Sequence, residues 1–192
     1  MKRLYWRPAG PSTGDLIFLA LLSVVMLVLV EKLPLEVHAG AYVDKLTAAR
    51  HAELARMLVC DERPRRGLPA FETTDIAQTG WIGPATSSIT TSTGSLSAKR
   101  TAANPNFAAL LVDYFHDLDL KKGDVVAVGY SGSFPGLNIA TLAAIETMEL
   151  EPIIIASAAS SDFGASAPSF SWLEMEHFLK ERGILHHSSF AA

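Results

Sequence analysis

The chain is poor in cysteine and in charged residues, and both shortages limit what it can be. Its 192 residues include one cysteine, Cys60, so no internal disulfide can form and packing must hold the domain together. Charged residues make up 19% of the chain, which is low for a globular protein. The net charge of −4 leaves no strongly basic surface, so we expect no nucleic-acid partner.

Sequence patterns for metals and nucleotides are also missing. The chain has no P-loop and no G-x-G-x-x-G motif. Its six histidines show no metal-ligand spacing with Cys60 or with each other. The adjacent pair His186-His187 is poorly placed to chelate a single ion. We therefore expect neither a metal site nor a cofactor.

The chain does have one long apolar run, from Leu16 to Val30, near its start. Three cations precede the run: Lys2, Arg3 and Arg7. Because basic flanks stay in the cytoplasm, this arrangement predicts a cytoplasmic N-terminus with the remainder outside. The run is slightly short for a span of about 20 residues, and its flanks would complete the span.

A cleaved signal peptide is the alternative to a membrane anchor. Val37-His38-Ala39 resembles a small-residue cleavage site. Against cleavage, Glu31, Lys32 and Glu36 would make an unusually charged segment before it, so we favour the anchor. Both interpretations place the domain outside the cytoplasm. We divide the chain into an anchor at 1–37, a juxtamembrane helix at 41–60 and an α/β domain at 70–192.

Two helices are expected before the first strand. The segment 41–60 has an apolar stripe, which consists of Val43, Leu46, Leu54, Met57 and Leu58. The Thr- and Ser-rich segment 70–98 is interpreted as a surface loop, with a short edge strand at Ile89–Gly94 as the alternative. Asn104-Pro105 is a typical helix start. The helix after it has one wide apolar face, expected to pack on a sheet: Phe107, Leu110, Leu111, Tyr114, Phe115 and Leu118.

The second half of the chain has the pattern of a βαβ unit. Val125–Val128 and Ile153–Ala156 are short apolar runs typical of buried parallel strands, and a helix lies between them. A further helix is predicted from Trp172 to Arg182, with a capping box formed by Ser171 and Glu174. The fold class is therefore α/β, with one transmembrane helix followed by a Rossmann-like, partly parallel sheet with packed helices.

Small polar loops follow both predicted strands, at 129–136 and 157–168. In parallel α/β sheets such loops line the ligand crevice, and a helix N-terminus there favours anions. We predict an anion site formed by Lys99, Arg100, Ser131, Gly132 and Ser133. The alternative is that glycine and serine merely make tight turns between strand and helix.

A catalytic interpretation of the same loop rests on Ser131. The sequence Gly129-Tyr130-Ser131-Gly132-Ser133 approaches the G-x-S-x-G nucleophile elbow. Asp162 and then His186 or His187 follow in the Ser–Asp–His order of α/β-hydrolases. Ser133 replaces the final glycine of the motif, which is a departure from the elbow.

Several stretches resemble the bacterial poly-gamma-glutamate system protein family. They are Leu4–Pro8, Ile89–Leu96, Ala98–Ala108, Gly129–Ala140 and Trp172–Glu176. The resemblance implies a membrane protein that takes part in making or exporting poly-γ-glutamate, an anionic polymer. It implies no catalytic residues. Family members are expected to be longer, with more α/β structure after the last helix, so the short tail is interpreted as a truncation or a frameshift.

Three functions remain open at this point. The first is a non-catalytic accessory subunit that binds the anionic polymer. The second is a serine hydrolase or transferase that acts on the polymer or envelope through Ser131. The third is a structural partner whose membrane segment packs against the poly-γ-glutamate synthase subunits.

Overall fold

The computed structural model describes residues 10–32 and 40–190, which fall into two compact units, Met1–Ala39 and Gly40–Ala192. In the first unit, helix α1 spans Thr13–Lys32. Ser12 begins it, because the Asp15 amide donates to Ser12 Oγ at 3.2 Å and the Ser12 amide donates back to the Asp15 carboxylate at 3.0 Å.

Helix α1 has the composition of a membrane span or of a signal sequence. Its mean hydropathy is 2.5 and none of its side chains is buried. In the described residues it is the one helix long and apolar enough to cross a membrane. The flanking cations and the cleavage-like Val37-His38-Ala39 lie outside the described residues.

The second unit has a mixed α/β fold, as the sequence predicts. Its helices are α2 (Tyr42–Glu62), α3 (Leu96–Ala102), α4 (Phe107–Asp117), α5 (Pro135–Thr147) and α6 (Trp172–Glu181). Its strands are β1 (Thr90–Ser92), β2 (Val125–Ser131), β3 (Glu151–Ser157) and β4 (Ser160–Ser161). Single turns of 3₁₀ helix span Pro64–Arg66 and Pro168–Phe170.

The strands form two parallel pairs. Strands β2 and β3 pair over seven residues, from Val125 opposite Glu151 to Ser131 opposite Ser157. The predicted βαβ unit is therefore present, with both strands longer than the apolar runs that indicated them. Strand β1 pairs with the two-residue β4, and the register shifts within β1.

Helices α2, α4 and α5 pack together beside the β2–β3 pair. Alanines make the contact: Ala48, Ala52 and Ala55 on α2 are almost fully buried, and so is Ala144 on α5. The apolar stripe predicted for α2 is wrong for three of its residues, because Val43 is 72% exposed and Leu54 and Met57 are half exposed, whereas Leu58 does pack against the core. Small residues let two helices approach closely, which is why the alanine face is the buried one.

Helix α4 differs from its prediction in two respects. It begins at Phe107 with Asn106 as the N-cap, whereas Asn104 Oδ1 accepts a hydrogen bond from the Asn106 amide at 3.0 Å. Its apolar face is also only partly covered, because Leu110, Tyr114 and Leu118 are exposed. The helix packs mainly on α2 and α5, so these three side chains are left uncovered within the described residues.

Helix α6 has the predicted extent within one residue, and Gly183 follows it with a φ of 68°. The predicted capping box is wrong. Ser171 makes no side-chain cap bond, and Glu174 pairs instead with Arg66, whose Nη1 lies 3.1 Å from the carboxylate. After α6 the chain returns to the sheet, where the Phe190 amide donates to the Ile154 carbonyl at 2.8 Å.

Candidate functional site

The loops at the carboxyl ends of β2 and β3 are in direct backbone contact. The Gly132 amide donates to the Ala159 carbonyl at 3.2 Å, and the Ala165 amide donates to the Gly132 carbonyl at 2.7 Å. A Cβ at Gly164 would lie 2.5 Å from the Gly132 carbonyl oxygen and 2.3 Å from Ser160 Oγ. Only glycine allows this approach, so the small residues here serve close packing.

Lys99 is buried at the centre of these loops. It lies on α3, which begins at Ser95, where Ser95 Oγ accepts from the Ala98 amide at 3.4 Å. Lys99 Nζ donates to Ser161 Oγ at 2.6 Å and also donates to the Ser133 carbonyl. The Phe134 ring centre lies 4.1 Å from Nζ. Burial lowers the pKa of the Lys99 ammonium.

The predicted hydroxyls lie around this lysine. Ser133 Oγ accepts from the Ser161 amide at 3.1 Å, and Ser131 Oγ accepts from the Ser133 amide at 3.3 Å. Asp162 lies at the rim, where its carboxylate accepts from the Gly94 amide at 3.3 Å and raises the pKa of Lys99 against the effect of burial. The structure therefore brings together Lys99, Ser131, Gly132, Ser133 and Asp162.

Arg100 does not join this group. Its guanidinium donates to the Thr74 carbonyl, from Nε at 3.0 Å and from Nη2 at 2.6 Å. The side chain is exposed, unlike that of its neighbour Lys99. Consecutive residues on a helix point in different directions, so the two cations predicted to act together have separate partners.

The N-terminus of α5 also has protein partners. The amides of Leu137 and Asn138 both donate to the Phe134 carbonyl, at 3.0 and 3.1 Å, and Pro135 has no amide hydrogen. A Cβ at Gly136 would lie 2.7 Å from the Ala102 carbonyl oxygen, so α3 covers this helix end. The groups on which the anion-site prediction relied are thus largely engaged within the chain.

His186 lies at the opposite end of the sheet from Ser131. Its amide donates to Glu146 Oε1 at 2.6 Å, and its Nδ1 lies 3.1 Å from Glu146 Oε2. Both histidines of the pair line a cavity of about 280 Å³ with Lys122 and Glu151, at the amino ends of the strands. Seven strand residues span roughly 20 Å, so the structure does not assemble Ser131, Asp162 and His186 as a triad.

The sequence did not predict two buried polar contacts. One is the hydrogen bond between Lys99 and Ser161, which are 62 positions apart and share no motif. The other is Glu176, whose carboxylate accepts from the Tyr130 hydroxyl at 2.8 Å and from Ser189 Oγ at 2.6 Å. Glu176 lies on the same face of α6 as the buried Trp172 and Leu179. A carboxylate at that spacing could have indicated a buried acidic group from the sequence alone.

A groove runs along the outer edge of β2. Its volume is about 480 Å³, and its walls come from α4, α5 and β2: Leu111, Phe115, Val128, Phe134, Leu137 and Thr141 among others. Within residues 40–190, β2 pairs only with β3. The other edge of β2 therefore has no neighbouring strand within these residues, although the Ser131 carbonyl at its end accepts a hydrogen bond from Asn138 Nδ2 at 2.8 Å.

These features define an α/β domain with a tightly packed lysine–serine cluster at one end of its β2–β3 pair. It follows in the sequence a helix that is long and apolar enough to be a membrane span or a signal sequence. Comparison of the chain with protein-family models, with characterised proteins and with solved structures finds no match.

Proposed function

We propose that this chain is a membrane-anchored accessory component of poly-γ-glutamate synthesis or export, which binds a partner rather than catalysing a reaction. In this proposal α1 is a single-pass anchor with a cytoplasmic N-terminus, and the domain is a Rossmann-like unit outside the membrane. The polymer system comes from the sequence resemblance. The binding role rests on one structural observation, the unpaired edge of β2 beside its groove.

An unpaired strand edge is suited to binding an extended polypeptide. Its free amides and carbonyls can pair with an added strand, and neighbouring pockets select the side chains. Here the groove is lined mainly by apolar residues such as Leu111, Phe115 and Leu137. Proteins usually block exposed edges with charges or proline, yet the middle of β2 is Ala127, Val128 and Gly129. The partner we propose is an extended apolar segment of a poly-γ-glutamate synthase subunit.

The outer face of the sheet supports the same proposal. Side chains alternate along β3, so that Ile154 and Ala156 are buried while Ile153 and Ile155 are 57% and 59% exposed. Val125 on β2 is 65% exposed on that outer face. A strand added at β2 would extend this apolar face and cover part of it.

Ala127→Lys tests the binding proposal. Ala127 is exposed on the free edge, so a lysine there should block strand addition while leaving the core intact. We expect at least a tenfold loss of synthase subunits copurifying with the full chain from detergent, and a matching fall in polymer yield. The matched control is Leu118→Lys directly after α4, where the native side chain is 70% exposed. Equal copurification by both variants would contradict the proposal.

Two further variants test whether α1 or the domain carries the function. Exchanging α1 for an unrelated single-span anchor should preserve polymer yield if the domain makes the functional contact. A chain reduced to residues 1–39 should lose it. Full polymer yield from that short chain would instead support a purely structural role for the membrane segment.

Direct binding of polymer carboxylates is a separate part of the proposal. Lys99 is buried and Arg100 is exposed, so Arg100 is the more available of the two cations even though its guanidinium donates to the Thr74 carbonyl. A Lys99→Ala, Arg100→Ala double variant should bind poly-γ-glutamate more weakly. An Arg100→Ala single variant should account for most of that loss, and unchanged polymer binding by both variants would remove this part.

A further inference from the structure

A buried lysine that makes no direct ion pair within residues 40–190 distinguishes the carboxyl end of the sheet, although the Asp162 carboxylate lies near enough to raise its pKa. Lys99 is 3% exposed, and buried lysines normally pair with an acid. Among residues 40–190, the ion pairs of the structure do not include Lys99. Its closest polar side-chain contact is instead a hydroxyl, Ser161 Oγ, at 2.6 Å.

We propose that Ser161 is a nucleophile and Lys99 its general base, forming a serine–lysine pair that attacks the carbonyl of an ester or amide. Such pairs are a known variant of serine catalysis in which an amine replaces histidine. The pair uses neither Ser131 nor His186, and it goes beyond the binding role proposed above. Lowered basicity by burial is what allows a lysine to accept a proton near neutral pH.

Ser133 and Phe134 hold the pair in place. The Ser133 carbonyl accepts from Lys99 Nζ, and Ser133 Oγ accepts from the Ser161 amide at 3.1 Å. The Phe134 ring packs against the same ammonium. Ser133 is therefore a positioning residue, which fixes the base through its carbonyl and the nucleophile's backbone through its hydroxyl.

The reaction proceeds in two balanced steps. The free amine of Lys99 takes the hydroxyl proton as Ser161 Oγ bonds to the substrate carbonyl carbon. The bond from that carbon to the leaving oxygen or nitrogen then breaks, and the leaving group takes the proton from Lys99. Water next attacks the acyl-serine and gives its proton to Lys99. The acid and free Ser161 form when Lys99 returns that proton to Ser161 Oγ.

Gly94 packs closely against this site. A Cβ at Gly94 would lie 2.6 Å from the Asp162 carbonyl oxygen and 3.1 Å from Ser161 Oγ, so this close approach requires glycine. Ser161 is only 8% exposed. Substrates are therefore limited to those whose carbonyl group can reach a largely buried hydroxyl, such as a linear ester or a secondary amide.

A fluorophosphonate probe tests the pair in the full chain, purified in detergent. We expect covalent labelling at Ser161, mapped by mass spectrometry of the peptide, and at least a tenfold loss in Ser161→Ala. Ser157→Ala, which removes an exposed serine at the end of β3, is the matched control and should label as the wild type does. Labelling at Ser131, or no labelling, would overturn the proposal while leaving the partner-binding proposal untouched.

The role of Lys99 is tested by the pH profile of labelling. The rate should rise with pH to a midpoint below the ordinary range of lysine, because burial lowers the pKa of Lys99. Lys99→Arg keeps the charge but cannot give up a proton in this range, so it should abolish labelling at every pH. Circular dichroism would confirm that this variant is folded. An unchanged rate in folded Lys99→Arg would show that Lys99 is structural only.

Discussion

The two ends of the β2–β3 pair are built by different means. At the carboxyl ends, Lys99 and Ser161 are buried and the loops touch through glycine backbones. At the amino ends, Lys122 pairs with Glu149 while both side chains stay more than 60% exposed. Buried contacts resist solvent and salt, whereas exposed ion pairs are screened. The carboxyl end should therefore be both the more rigid and the more sensitive to substitution.

Two glycines give the largest expected contrast between the ends. Gly164→Ala would force a Cβ against Ser160 Oγ and the Gly132 carbonyl, which should cost about 3 kcal/mol of unfolding free energy. Gly123 has open space around it and a φ of 85°, so Gly123→Ala should cost only about 1 kcal/mol of backbone strain. Urea denaturation of the two variants measures the difference. Equal losses would mean that the carboxyl-end loops can relax.

Two glutamates give the next contrast. Glu176→Ala leaves the half-buried Tyr130 hydroxyl without its acceptor and should destabilise the chain by about 2 kcal/mol. Glu149→Ala removes an exposed partner of Lys122 and should change stability by less than about 0.5 kcal/mol. The shift in the denaturant midpoint, at an unchanged dependence of unfolding free energy on denaturant concentration, measures both losses. A large effect at Glu149 would break the comparison.

Alkaline pH should destabilise the carboxyl end through Tyr130. Burial, followed by the nearby Glu176 carboxylate, raises the pKa of Tyr130. The Tyr130 hydroxyl therefore keeps its proton in the folded chain at pH values where it loses that proton in the unfolded chain. The resulting contribution to folding stability is complete below the unfolded pKa of about 10 and is lost as the pH rises above that value. Wild type should lose roughly 1 kcal/mol more than Tyr130→Phe between pH 9 and pH 11. Parallel stability curves for the two proteins would contradict this.

The smallest effect is expected from salt at the amino end. Lys122→Met should change the unfolding free energy by less than about 0.5 kcal/mol at low ionic strength. That change should vanish in about 1 M salt, where screening acts within a few ångströms. Thermal unfolding at the two salt concentrations measures it, and a persistent effect would indicate that Lys122 has a buried role.

Periodic apolar patterns in the sequence were sufficient to predict the βαβ unit and the extent of α6. They failed for α2, where the buried face consists of alanines such as Ala52 rather than Leu54 or Met57. By size and hydrophobicity, leucine is the residue expected to be buried. Where two helices approach closely, however, the smaller alanine side chain is the one that fits between them. That choice depends on the neighbouring helix and is not visible within one segment.

The candidate site was predictable only in location. Loops after parallel strands are where ligands bind, and Ser131 and Ser133 do lie there. The link from Lys99 to Ser161 depends on how α3 docks against the loop after β3, which no local pattern encodes. Arg100 shows the same limit, since two adjacent cations in the sequence have unrelated surroundings in the fold.

The hydrogen bond from the Phe190 amide to the Ile154 carbonyl has a consequence for assembly. It lets the end of the described chain occupy the outer side of β3, while the outer side of β2 stays open. An added strand would therefore join more readily at β2 than at β3. An open edge on both sides is what repeated edge-to-edge association needs, so the segment at Phe190 helps to protect the β2–β3 pair from aggregation.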